Sequence, residues 1–225
     1  MNTTAGAELH SRCLILFARE PVAGQVKTRL EPALGIKGTL ALYRRLLDRQ
    51  VSLLNHYHDV DCQLWVEGDS AHEAFSEFNG PVFQQFGDDL GLRMNNALAN
   101  VLDQYGSAIL IGCDCPQYSH AYFDRAFLAL EQGADVVLGP ARDGGYVLVG
   151  LRQAEELIFQ GMDWGTDAVL QQTRECIRAL GLNYHQLETL QDIDEPQDLI
   201  LLNGTTMLQK KKWAVYNSET DTVSF

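Results

Sequence analysis

Four short stretches carry the side chains that could do chemistry. Asp114 lies in Ile109-Leu110-Ile111-Gly112-Cys113-Asp114-Cys115-Pro116. A short apolar run bounded by Gly and Pro reads as a buried strand that stops abruptly, and Pro116 bars a helix directly behind it. Asp114 then sits just past the carboxyl end of a central strand, where ligands bind in open α/β sheets. Such a carboxylate is either a metal or ligand contact or a helix cap. Ser119 is already available as the cap, which favours the contact. Residues 19–29 concentrate Arg19, Lys27 and Arg29 in an acidic chain, and Gly24 lets the backbone approach a ligand closely. If the end of this loop is extended, Lys27 and Arg29 project to one side and Thr28 to the other. A strand feeding a Gly-containing basic loop suits a nucleotide diphosphate; the plainer alternative is a solvated loop whose cations pair with the acidic surface. Asp143-Gly144-Gly145 fits a tight hairpin turn by its turn chemistry alone, yet Asp143 is also an acid that could face a cleft. Finally, Asp192, Asp194, Glu195 and Asp198 cluster around Pro196. They are either partners of a helix dipole or the source of a second carboxylate for a divalent metal.

Together these groups would suit a diphosphate. Magnesium or manganese is a hard cation that takes carboxylate, water and phosphate oxygens. Bridging Asp114 and the phosphates of a nucleotide sugar, with Lys27 and Arg29 beside them, it would stabilise the charge that grows on the leaving group. Asp143 is the first candidate to accept the acceptor hydroxyl's proton. The Cys113 and Cys115 pair could hold a soft metal, but no second Cys or His cluster completes such a site. None of the six His is evidently paired with a cysteine as a nucleophile would need.

These groups need a scaffold, and the pattern supplies one. Residues 13–18 are a continuous apolar run, as expected of a strand buried on both faces. Residues 36–55 place Leu40, Tyr43, Leu46, Leu47, Val51 and Leu54 at helical spacing. Residues 61–67 read as a strand, 70–78 as a short helix and 82–86 as another strand. Asp88 or Asp89 caps a helix with Leu90, Met94, Leu98 and Val101 on one face and Arg93 near its start. After the strand ending before Asp114, residues 119–132 form a helix closed by Gly133, followed by a strand at 135–138. This alternation implies parallel strands in a doubly wound sheet. The Asp-Gly-Gly turn breaks the rhythm, since it leaves no room for a crossover helix. A short helix at 155–159 and a loop at 162–167 follow. Thr166 or Asp167 is the expected cap of a helix over 168–180. Trp164 fits core packing better than stacking on a base or sugar. A strand at 183–187 and a helix from Pro196 through Leu202 complete the pattern.

The 225 residues suffice for one α/β domain, expected over 1–225 with flexible tails at 1–11 and about 208–225. Net charge is −13 and the pI about 4.7. Such a field repels phosphate, which argues against nucleic acid and anionic membrane as partners. Five cysteines without a framework of spacings suit a reduced, cytoplasmic protein. No run approaches a bilayer span and no signal peptide is expected. Lys210, Lys211 and Lys212 read as a solvated tail.

Four segments in order carry a family resemblance: FAREPVAGQVKTRL (17–30), IGCDCP (111–116), VLGPARDGGYVLVG (137–150) and DIDEPQDL (192–199). GDDLGLR (87–93) and WGT (164–166) also fit. The chain resembles the radical-SAM/selenodomain-associated transferase family, type one, some of whose members are labelled arsenosugar biosynthesis glycosyltransferases. Glu195 stands where that family usually has Thr, Gly165 where it usually has Ser, and Asp114 lacks a second Asp two residues away.

The resemblance implies a GT-A fold, the three-layer α/β/α sandwich of the nucleotide-diphospho-sugar transferases, with a mostly parallel sheet. It implies a metal-dependent glycosyltransferase using Mg2+ or Mn2+, a nucleotide-sugar donor and a small-molecule acceptor. Nucleotidyl transfer from a nucleoside triphosphate to a phosphorylated small molecule, and a non-catalytic nucleotide-binding module, remain as alternatives. Ala18, Arg19, Gly24, Lys27, Arg29, Arg93 and Asp114 are then the nucleotide-binding residues, with Lys27, Arg29 and Asp143 catalytic. Asp143, Gly144, Gly145, Tyr146, Trp164 and Thr166 line the substrate cleft, and Asp114, Asp192 and Asp194 hold the metal. A homodimer is left open.

Overall fold

The computed structural model describes residues 12–204. The expected tails, including the three lysines, lie outside the described residues. Seven strands form one sheet: β1 (Cys13–Arg19), β2 (Asp61–Glu67), β3 (Val82–Gln84), β4 (Ala108–Gly112), β5 (Val136–Pro140), β6 (Tyr146–Leu151) and β7 (Tyr184–Gln186). Their order is β3-β2-β1-β4-β6-β5-β7. All pairings are parallel except those of β6, which runs antiparallel to β4 and β5. The Asp-Gly-Gly turn is the cause, since β5 and β6 are joined without a helix.

Helices cover both faces. β1 turns Leu14, Leu16 and Ala18 to one side, where they meet Tyr43, Leu47 and Val51 of α1 (Glu31–Asn55) and Phe123 and Phe127 of α3 (His120–Glu131). Cys13, Ile15 and Phe17 point the other way, onto Met94, Leu98 and Val101 of α2 (Leu90–Leu102) and Ile177 of α4 (Val169–Ala179). The period of two in a strand produces this division, and the result is a three-layer α/β/α arrangement. A smaller cluster of Leu30, Leu42, Leu46, Ile193 and Leu202 packs the C-terminal segment against α1.

Local signals set most boundaries. Asp89 Oδ1 accepts from Leu92 N at 2.8 Å and caps α2, and Ser119 Oγ caps α3 by accepting from Tyr122 N. Gly35, at φ +67, breaks α1 after its first turn, so the regular helix resumes at residue 36. Other expectations fail. Residues 70–78 hold only a 3-10 turn at Glu73–Phe75, being too short to carry helix nucleation without more packing. The N-cap of α4 is Ala168, with no side-chain cap; Thr166 Oγ1 instead accepts from Ala168 N at 3.3 Å. The end of the 19–29 loop is not extended either. Lys27 is left-handed (φ 52) and Thr28–Leu30 form a 3-10 turn. The segment from Pro196 to Gly204 is 3-10 rather than α-helical.

Candidate functional site

β1 and β4 are adjacent and parallel, with Phe17 opposite Gly112. The loops that follow them therefore leave the same edge of the sheet side by side, which is how distant sequence segments meet at a ligand site. Lys27 Nζ lies 2.8 Å from Asp114 Oδ2 and 3.2 Å from Asp194 Oδ1. Arg29 Nη1 reaches Asp194 Oδ2 at 2.7 Å. The left-handed turn at Lys27 brings both cations to the carboxylates despite the loss of the extended geometry.

The acidic C-terminal segment is tied into place by main chain. Leu190 N donates to Pro140 O at 3.0 Å and Ile193 N to Asp114 O at 3.1 Å. Its acids then divide their roles. Asp198 Oδ2 accepts from Asp194 N and Glu195 N, closing the turn around Pro196. Asp194 pairs with Lys27 and Arg29, and Asp192 lines the cleft.

The electrostatics follow from burial and neighbours. The Lys27 side chain is only 6% exposed. Burial, the largest single influence, pushes its ammonium pKa down, but Asp114 and Asp194 together outweigh it and hold the group above its ordinary value. Asp194 is opposite in sign: burial raises it, Lys27 and Arg29 pull harder, and its carboxyl lies below the usual range. Asp192 is pushed up to about 6, by burial first and by Asp143 second, with Lys27 opposing. Asp192 is thus an acid crowded by other acids.

Of these residues Lys27, Asp114, Asp192 and Asp194 line a cleft of about 400 Å³ at the carboxyl ends of β1 and β4, while Arg29 and Asp143 lie outside its lining. Ala18, Arg19, Lys27, Asp114, Tyr146, Asp192 and Asp194 line it. Tyr43 fixes its floor, its hydroxyl accepting from Arg19 N at 2.7 Å and donating to Arg19 O at 2.9 Å. Behind Asp114, the Arg49 guanidinium of α1 donates to Pro116 O and Gln50 Nε2 to Cys115 O, holding the loop to that helix. Cys113 and Cys115 are buried beside Asp114; burial raises both thiols, Cys115 to about 12. Among the described residues no three His, Cys, Asp or Glu side chains are grouped as a metal site, and this applies to the expected Asp114, Asp192 and Asp194 set, whose Asp194 is taken by Lys27 and Arg29.

The remaining expected residues are placed as follows. Gly24 has φ +77 with open space around it, so conformation rather than a close neighbour calls for glycine. Arg93 Nη1 pairs with Glu67 Oε1 at 3.0 Å, apart from the Lys27–Asp114 group. Asp143 Oδ1 accepts from Gly145 N at 2.9 Å, closing its own turn while facing Asp192 electrostatically. Gly144 packs on the main chain of Asp167. Tyr146 meets Trp164 edge-on, ring centroids 6.4 Å apart, and Trp164 packs against the core on the α2 side. Thr166 Oγ1 donates to Asp163 O, a bond internal to its loop. Among the cleft residues that escape the sequence are Glu67 and Gln85. Glu67 closes β2 and Gln85 follows β3 directly, both ordinary-looking in sequence, and only the sheet order brings them beside Arg19.

The seven-stranded sheet with its cleft at the ends of β1 and β4 is the nucleotide-diphospho-sugar transferase fold, as a structural match shows. The sequence matches, over residues 50–166, the family described as "Uncharacterized protein conserved in bacteria (DUF2064)", and the chain belongs to that family. A crystal structure from Desulfovibrio desulfuricans G20, provisionally assigned as a nucleotide-diphospho-sugar transferase, is 30% identical. The match covers 92% of this chain and 94% of that one, with a TM-score of 0.79. CMP:2-keto-3-deoxy-manno-octonic acid synthetase, solved with CTP, shares the fold at 10% identity (TM-score 0.58; 93% and 100% covered). So does Rv0371c of Mycobacterium tuberculosis H37Rv, solved with manganese, at 14% identity (TM-score 0.53; 88% and 100% covered). No curated protein matches the sequence. Among the described residues no helix is long and apolar enough to cross a membrane.

Proposed function

We propose that the protein is a metal-dependent transferase that moves a sugar from a nucleoside-diphosphate donor to a small-molecule acceptor. The observation that carries this reading is the buried Lys27 ammonium held between Asp114 and Asp194 at the mouth of the cleft. With Arg29 it offers fixed positive charge where two loops converge, yet Asp114, Asp143, Asp192 and Asp194 outnumber the two cations. A bare diphosphate would be repelled from such a group. A hard divalent cation relieves the repulsion, since it is bound by one or two carboxylates with substrate phosphates and water rather than by an all-protein cage. Asp114 and Asp192 would hold magnesium or manganese, as Rv0371c was solved with manganese, and the ion when bound supplies positive charge against the diphosphate.

The chain's own groups then divide the work. Ala18, Arg19 and Gly24 shape the floor for the nucleotide. Lys27 and Arg29 gain strength as the bond from the sugar's anomeric carbon to the diphosphate oxygen breaks and its electron pair passes to that oxygen. The acceptor hydroxyl oxygen bonds to the anomeric carbon and its proton passes to Asp143. Tyr146, which lines the cleft, begins the acceptor side, with Gly144, Gly145, Trp164 and Thr166 behind it. All five cysteines are free, which suits the cytoplasm.

Calorimetric titration of nucleoside diphosphates with and without manganese tests the reading, followed by product analysis with nucleotide sugars. Binding that requires manganese and is lost in Asp114→Ala is expected. Pyrophosphate release from a nucleoside triphosphate with a phosphorylated small molecule would show a nucleotidyltransferase instead. Binding that survives Asp114→Ala without turnover would show a non-catalytic module.

A further inference from the structure

On the side of β1 away from β4, three parallel strands end in one row. Arg19 and Glu67 are register partners of β1 and β2. The β2–β3 register of Val66 with Gln84 runs on by one step to Glu67 and Gln85, and Gln85 N donates to Val66 O at 2.8 Å. Arg19, Glu67 and Gln85 all line the cleft. A shared row puts their side chains on one face of the sheet, the face of Phe17 and Trp65 that packs on α2. Leu90 and Met94 of α2 line the same space with apolar surface.

Each polar group in this row has a fixed sense. Gln85 Nε2 donates to Ala18 O at 3.2 Å and to Trp65 O at 2.9 Å. Both neighbours are carbonyls, so the amide nitrogen must face them and Oε1 is left as an acceptor. Glu67 is gripped from two sides, by Arg19 Nε at 2.7 Å and Arg93 Nη1 at 3.0 Å, and each carboxylate oxygen keeps a further acceptor position. Arg19 is 58% exposed and has donors beyond its Nε. The row therefore reads donor, acceptor, acceptor.

We propose that this row reads the base of the nucleotide and selects guanine. The inference rests on the proposal that a nucleotide occupies this cleft. Guanine's Watson–Crick edge presents, in order, the O6 acceptor, the N1–H donor and the N2 amino donor, the complement of Arg19, Glu67 and Gln85. Uracil sets a carbonyl against Gln85 Oε1. Cytosine and adenine set a ring-nitrogen lone pair against the Glu67 carboxylate. Such mismatches forfeit hydrogen bonds and oppose like poles, most at Gln85, whose amide sense is set by two main-chain carbonyls. Leu90 and Met94 supply apolar surface for the ring.

Titration of the full chain with GDP, IDP, UDP, CDP and ADP in manganese tests this. GDP is expected to bind about 10-fold or more tightly than UDP, CDP or ADP. IDP, which lacks only the 2-amino donor, should bind about 3- to 10-fold more weakly than GDP. Gln85→Leu, checked by thermal melting, should bring GDP and IDP to equal affinity. If that variant does not fold, the GDP-to-IDP ratio on the unaltered chain still decides. Equal affinity for GDP and IDP there, or a tighter pyrimidine or adenine nucleotide, overturns guanine selection while leaving the cleft as a nucleotide site. Binding of no nucleoside diphosphate at all overturns the cleft reading and this one with it.

Discussion

The Lys27 ammonium and the Asp114 carboxylate meet at 2.8 Å, joining the loop after β1 to the loop after β4. The lysine side chain is 6% exposed and the aspartate 37%, so the cation is sealed and its partner reaches the cleft. Removing the cation leaves two carboxylates facing each other with only Arg29 for compensation. Breaking a fully buried pair costs ~3–5 kcal/mol, and the exposure of both aspartates reduces that. Lys27→Met should therefore lower stability by about 2 kcal/mol and abolish nucleotide binding. Chemical denaturation with calorimetry checks both; unchanged nucleotide affinity would remove Lys27 from the site.

Asp192 and Asp194, two of the acids lining the cleft, predict opposite responses to pH. Asp194 is held below its ordinary value, so its contribution to stability is present above the unfolded pKa and lost as pH falls through the folded one. Asp192 is held up, at about 6, so its contribution is present at low pH and lost as pH rises through 6. Asp192→Asn removes the crowding. It should melt higher than the unaltered protein at pH 8, with a smaller difference at pH 5. An equal difference at both pH values would show that Asp192 is not crowded.

What the sequence made legible was local. Ile109-Leu110-Ile111-Gly112 announced a strand that stops, so the place of Asp114 was readable from one segment. Asp89 and Ser119 announced helix starts for the same reason, each cap lying three residues from the N–H it serves. Lys27 and Asp194 are both expected at the site from the sequence, but not as partners of each other, because that contact depends on Ile193 docking against Asp114 O. Glu67 and Gln85 were invisible: alternation along a strand says which face a residue takes, never which strand lies alongside. Trp164, by residue type a packing side chain, packs against the core cluster and is not among the residues lining the cleft, where the family resemblance puts it.

Gly144 tests how closely the β5–β6 turn must sit on the start of α4. Its φ is +91, and a Cβ there would lie 2.2 Å from Asp167 O. Leu170 N also donates to Gly144 O at 2.9 Å, so the turn cannot swing away freely. Gly144→Ala should cost about 2 kcal/mol or more, combining left-handed strain with the clash. Gly24→Ala, with a similar φ but open space, should cost about 1 kcal/mol. Denaturant midpoints compare the two; equal losses would mean that contact with Asp167 contributes nothing.

Asp143 has two separable duties, and isosteric replacement separates them. Its Oδ1 accepts from Gly145 N at 2.9 Å, which an asparagine oxygen reproduces. The negative charge beside Asp192, and the capacity to take a proton, are lost in asparagine. Asp143→Asn should therefore keep the turn and the melting temperature at pH 5. Turnover of the nucleotide sugar should fall about 10²- to 10⁴-fold, the range for a lost general base. Removal of the neighbouring charge should also bring Asp192 back toward the ordinary carboxylate range, a shift that NMR titration would detect. Asp143→Ala should show the same loss of turnover plus about 1 kcal/mol of stability from the missing turn hydrogen bond. If Asp143→Asn turns over like the unaltered protein while Asp143→Ala is merely less stable, the residue serves the turn alone and the acceptor's proton goes elsewhere.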